Sequence, residues 1–190
     1  AIATVFIVFF NLFSDMGISP AIVQNQCLTN NDISDIFGVT FWMGIILGGL
    51  FYIASSPIAH FYNHKILEPV CQWLSLVLFF SSINIVPEAL LYKDKKFKII
   101  AVRNFLIQIL CGLLSVIAAF RGMGIYALLL SPLLSGFFLF SVNEYFLRQK
   151  IHILPSLQPI KKIFSFSAFQ FLSSCVNFMG NNLSSLIIGK

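Results

Sequence analysis

The sequence predicts an all-α chain, a polytopic bundle of membrane helices, and three observations carry that prediction. Hydrophobic residues fill 58% of the 190 positions and charged residues only 10%. With a mean hydropathy of +0.89, the chain has too little polar surface to cover a water-soluble globule of this length. The apolar residues are gathered into six runs, the longest uncharged for more than 20 residues, enough to cross a hydrocarbon core about 30 Å thick at about 1.5 Å per residue. Basic residues gather between the runs. The stretch LLYKDKKFKIIAVR at 90–103 holds Lys93, Lys95, Lys96, Lys98 and Arg103, five of the twelve Lys and Arg, and such a cluster between apolar segments marks the cytoplasmic side of a membrane protein.

Taken in order, residues 1–13 are apolar apart from Thr4 and Asn11 and read as the visible part of a first membrane helix. Residues 14–36 follow as a polar connection that contains Asp15, Gly17 and Pro20. Residues 37–59 form the second helix, with Gly44 and Gly48 in a GxxxG pattern that serves either dimerisation or, as expected here, close packing inside a bundle. A short loop at 60–69 leads to the third helix at 70–92, interrupted late by Pro87 and Glu88. The fourth helix at 99–120, a tight turn at 121–124 and the fifth helix at 125–147 come next. A Pro-containing connection at 148–162 precedes the sixth run, 163–188, which is uncharged but rich in Ser and Asn. On this parse the loops after the third and fifth helices hold nine Lys or Arg, and those after the second and fourth only Lys65 and Arg121. The first helix therefore runs from outside to inside, and the sixth run from inside to outside. For a parent protein that starts in the cytoplasm, an odd number of helices, most simply one, is expected before Ala1.

Charge and cysteine usage exclude other classes. The net charge of +5 sits in short loops and not along one helix face, so nucleic acid is not an expected partner. Cys27, Cys71, Cys111 and Cys175 are far apart with no CxxC pair and read as small apolar filler. His60 and His64 have i, i+4 spacing but no third ligand nearby, and Pro57 argues against a continuous helix there. Asp32 and Asp35 lack a companion His, so one of them is expected to start the second helix instead of forming an acid–base pair. No catalytic residue, metal ligand or cofactor site is assigned.

The patches FSDMGISPAIVQ at 13–24, LTNNDISDIFGVTFWMGIILGG at 28–49, SPIAHFYN at 56–63, VPEALLYKDKKFK at 86–98 and GMGIYAL at 122–128 together resemble the polysaccharide and lipid-linked oligosaccharide exporters, the flippases of O-antigen and colanic-acid type within the multidrug/oligosaccharidyl-lipid/polysaccharide superfamily. One departure is Asn25 and Gln26, where such proteins often carry basic residues. The resemblance implies a MATE-like fold of two six-helix bundles that alternate access across a central cavity. It assigns residues 1–162 to the first bundle, with its first helix missing, and 163–190 to the start of the second. It further implies a bacterial inner-membrane protein whose cargo is an undecaprenyl-diphosphate-linked oligosaccharide, with membrane lipid as surroundings and a glycan polymerase or other export machinery as candidate partners.

A cavity for a sugar needs polar groups at membrane depth. Asn104, Gln108, Cys111 or Gly112, and Ser115 recur at helical spacing on the fourth helix, and Ser167, Gln170, Ser174, Asn177, Asn181 and Ser184 form a longer stripe on the sixth, opposite Phe169, Leu172, Val176, Met179 and Leu183. Of these, Asn104, Gln108, Gln170, Ser174, Asn177 and Asn181 are the candidate cavity-lining residues, set against interhelical hydrogen bonding as the structural alternative. The charged candidates are Asp15, Glu88, Arg103 and Glu144. Glu88 and Arg103 enter the third and fourth helices at equal depth from the basic loop, which makes them candidates for an ion pair; Glu144 has Arg148 four residues on, and Asp15 is placed to cap the turn that Gly17 permits. Rival expectations are a drug or cation antiporter on the same fold and a membrane enzyme of glycan assembly, a polymerase or ligase. The antiporter needs a buried acid in its cavity, and the enzyme a long loop with clustered acids, Arg or His.

Overall fold

In the computed structural model the described residues are 15–61, 67–147, 156 and 158–188, and they form helices with no strand among them. We number the helices α1 (Ile18–Gln24), α2 (Asn30–Phe61), α3 (Leu67–Lys93), α4 (Phe97–Phe120), α5 (Ile125–Leu147) and α6 (Gln158–Ile188). Four of them, α2 to α5, are long and apolar enough to cross a membrane. The chain is a piece of a polytopic helical membrane protein. α6 has the length, at 31 residues, but its Ser and Asn make it more polar.

α3 is the centre, packed by α2, α5, α1 and α4. Gly44 and Gly48 explain how α2 approaches it: a methyl group on Gly44 would stand 3.0 Å from the Ser82 Cβ, and one on Gly48 would stand 3.1 Å from the Ser75 backbone oxygen. The GxxxG pattern is thus used inside the bundle. α5 comes as near on the other side, where a Cβ on Gly136 would meet the Phe80 Cβ at 2.8 Å. Two apolar clusters result. At the basic end Ile22, Ile36, Phe37, Val86 and Ile163 join α1, α2, α3 and α6, and at the far end Phe51, Leu74, Leu78 and Leu129 join α2, α3 and α5.

The helix ends are set by local chemistry. α3 stops where Lys95 adopts φ 55°; the Lys96 N–H reaches Leu91 O at 3.0 Å and the Lys95 N–H reaches Tyr92 O at 3.0 Å. This is a Schellman turn with lysine in the place usually held by glycine. α4 ends in the same way at Gly122 (φ 83°), with Met123 N–H to Ala118 O at 3.2 Å and Gly122 N–H to Ala119 O at 3.0 Å.

Several boundaries differ from the sequence reading. The connection expected at 14–36 contains α1 and the opening of α2, because Thr29 and Asp32 form a capping box there. The Thr29 N–H and hydroxyl donate to Asp32 Oδ2 at 3.0 and 2.9 Å, and the Asp32 N–H returns to Thr29 Oγ1 at 3.2 Å. α2 also runs through Pro57 to Phe61, and α3 runs unbroken through Pro87 and Glu88. Pro87 is fully buried, and a proline held on all sides by neighbouring helices is tolerated in a membrane helix. α6 begins at Gln158, five positions ahead of the expected apolar start. The first apolar run, His64, Arg148, Lys150 and the side chain of Asn181 lie outside the described residues.

A buried polar cluster as candidate functional site

Three membrane helices bring polar side chains together near the basic end. Asn84 of α3 is the hub: its amide donates to Phe80 O at 2.8 Å within its own helix and to Gly136 O of α5 at 2.9 Å. Its carbonyl accepts from the Asn143 amide at 3.0 Å. Asn143, 1% exposed, in turn accepts a hydrogen bond from the Arg103 guanidinium of α4. Arg103 also donates to the Asn104 side-chain oxygen at 3.1 Å from Nε and 3.0 Å from a terminal nitrogen, and stands 3.8 Å from a Glu88 carboxylate oxygen. The pair expected from equal helical depth is therefore present. Its arginine side chain is 4% exposed and its glutamate 35%, so the charge farthest from water is the one with the most hydrogen bonds.

Two further carboxylates border this cluster. Asp15 accepts the Ser19 N–H at 3.2 Å, which makes it the cap of the turn at Gly17, φ 72°. It also lies within electrostatic range of Glu88. Burial pushes the Asp15 carboxyl up from its ordinary value, and the backbone N–H groups of Ser19 and Gly17 pull partly against that. Glu144 has one buried carboxylate oxygen with no hydrogen-bond partner among the described residues. Its expected partner Arg148 is not among them.

The remaining candidates are placed as follows. Asn104 is turned onto Arg103, and Gln108 is exposed beside Phe105, Leu106 and Ile109. The packed face of α4 is instead Arg103, Ile107, Cys111 and Ala118, with the Ser115 hydroxyl donating to Ala127 O at 2.8 Å. On α6, Ser167 is buried, Gln170 and Ser174 are half-buried and Asn177 is exposed. The apolar face opposite the stripe, which the sequence reading expects to pack in the bundle while the stripe faces a cavity, is the outer one: Phe169, Leu172 and Val176 are 72%, 63% and 69% exposed. The physical reason is the mode of docking. α6 meets α1 and α2 through its polar side, where a Cβ on Gly17 would lie 2.6 Å from Ser167 O and Lys162 binds both Asp32 oxygens at 3.0 Å. The α4 and α6 stripes do not share one packed interface.

Sequence reasoning missed Asn84 and Asn143. A signal for both existed: Asn84 precedes Glu88 by four residues, on one helix face, and Asn143 is an amide in a run otherwise fit to cross the membrane. Among the described residues no group of His, Cys, Asp and Glu is fit to hold a metal ion.

With this geometry in place, comparison with known proteins gives the family. The family described as polysaccharide biosynthesis protein matches residues 1–190, the whole chain. This chain belongs to that family. Within the polysaccharide biosynthesis family it is 28% identical, over 96% of its length, to the teichuronic acid biosynthesis protein TuaB of Bacillus subtilis (strain 168), covering 38% of that protein. It is 22% identical, over 100% of its length, to an uncharacterized membrane protein in the cps region of Klebsiella pneumoniae, covering 40% of it. The chain thus spans about two-fifths of the length of these relatives. No solved structure matches it. Membership fits the motif resemblance and the multi-pass helical architecture.

Proposed function

We propose that the membrane protein represented by this chain moves an undecaprenyl-diphosphate-linked oligosaccharide from the cytoplasmic to the outer (periplasmic) leaflet of the bacterial inner membrane, by alternating access of two MATE-like bundles. On this reading it is a transporter that makes and breaks no covalent bond. The observation that supports it most is the cluster of Asn84, Asn143, Arg103 and Glu88 at the basic end of α3, α4 and α5. A polymerase or ligase needs its polar groups where water and two substrates meet, outside the bilayer. Here they are set within spanning helices, as a path for a hydrophilic cargo requires.

The test is depletion of the full-length protein in its own cells, followed by analysis of lipid-linked glycan. Intact lipid-linked oligosaccharide should accumulate on the cytoplasmic face while surface polysaccharide disappears. Accumulation of single repeat units on the outer face would instead identify a polymerase and overturn the reading. An antiporter on the same fold has one observation in its favour, the buried oxygen of Glu144 that has no hydrogen-bond partner among the described residues. It predicts that depletion changes drug or cation sensitivity with surface glycan intact.

A further inference from the structure

An open groove of about 410 Å³ runs between α4 and α5 from the basic end toward the middle of the spans. Lys98 and Phe146 stand at its mouth, Val102 and Val142 along its walls and Leu106 at its inner end. Its surface is almost wholly apolar below Lys98, so the groove has the polarity of an amphiphile: one cation at the level of the headgroups, hydrocarbon beneath. Lys98 is exposed and makes no hydrogen bond or ion pair among the described residues. Its loop neighbour Lys96, by contrast, is occupied by Asp94 at 2.8 Å, and Arg103 at the groove's inner wall is already held by Asn143, Asn104 and Glu88.

The geometry points to this groove as a binding site for one acyl chain of an anionic glycerophospholipid, with its phosphate on Lys98. Two features select that occupant. From Lys98 to Leu106 the groove covers eight helical steps, about 12 Å at about 1.5 Å each, close to half of a core about 30 Å thick and so to the acyl chain of one leaflet. The mouth offers a single unengaged ammonium, which matches one phosphodiester. A polyprenyl diphosphate has a longer tail and more charge than one lysine balances. Basic grooves between membrane helices on the cytoplasmic side are where anionic headgroups settle.

In the test, the full chain is purified in detergent, offered phosphatidylglycerol, phosphatidylethanolamine and undecaprenyl diphosphate in equal amounts, and the retained lipid is counted by native mass spectrometry. Phosphatidylglycerol should be retained over phosphatidylethanolamine. Lys98→Gln should lower its retention about fivefold, the effect of one basic residue near an anionic surface, and Lys96→Gln should not. Leu106→Trp should abolish retention by filling the inner end, and since Leu106 is 60% exposed the larger ring does not threaten folding. The assignment is overturned if the Lys98 and Leu106 variants retain phosphatidylglycerol like the parent, or if Lys96→Gln lowers it equally. It also fails if undecaprenyl diphosphate is retained in preference.

Discussion

Arg103 is a cation taken out of water at one level of the bundle, and its partners set what its neighbours can tolerate. Asn143 spends its carbonyl on Arg103 and its amide on Asn84, so cutting it back leaves a buried guanidinium N–H and a buried carbonyl unpaired together. Asn143→Ala is expected to destabilise the chain by about 1–3 kcal/mol per group left unsatisfied, read as a fall in the thermal unfolding midpoint in detergent. Exposed Ser141, whose hydroxyl donates to Phe137 O within its own helix, should tolerate the same truncation within about 0.5 kcal/mol. The Glu88–Arg103 pair was legible in the sequence because two charges at equal depth in adjacent helices need each other. The partners of the amides were not, because an Asn in a spanning run gives no hint of which helix it faces.

Between helices, the deciding quantity is how near two backbones come. Gly44 and Gly48 sit on α3 at contact distance, whereas nothing lies within 4 Å of a Cβ on Gly49. Gly44→Val is therefore expected to push α2 away from Ser82 and Phe79 at a cost of about 1–3 kcal/mol. Gly49→Ala should instead stabilise by about 0.5–1 kcal/mol. Paired unfolding curves of the two variants check both signs. For α6, replacing Asn177 and Asn181 together by Leu should leave abundance normal and reduce surface glycan, measured by export assay in cells that carry the full-length protein. Glycan export at the parental level would mark the stripe as packing alone. The period of the α6 stripe was readable from the residues, but which face docks was not. That is decided by Gly17 and by Lys162 reaching Asp32, partners about 150 and 130 positions away in sequence that no local pattern reveals.

At the scale of the molecule, the basic loop at Lys93–Lys98, the Asn25 carbonyl that takes a 2.8 Å hydrogen bond from Lys93 and the Asp32–Lys162 bridge lie at one end. The turn at Gly122 lies at the other. In a cysteine-free background, Lys95→Cys should stay unlabelled by an impermeant thiol reagent in whole cells, and Met123→Cys, 42% exposed before substitution, should label. The opposite result would invert the orientation read from the nine-to-two division of charge. The spans themselves followed from apolar length, and the caps shifted them by several residues where Thr29 and Asp32 close a turn. Asn84 carries a mechanical implication for the two helices it joins. It grips α5 at Gly136 and at Asn143, two places seven residues apart, so a slip of α5 by one turn, about 5.4 Å, would part both grips at once in a medium that offers no replacement. The amide acts as a detent that holds α3 and α5 in one register.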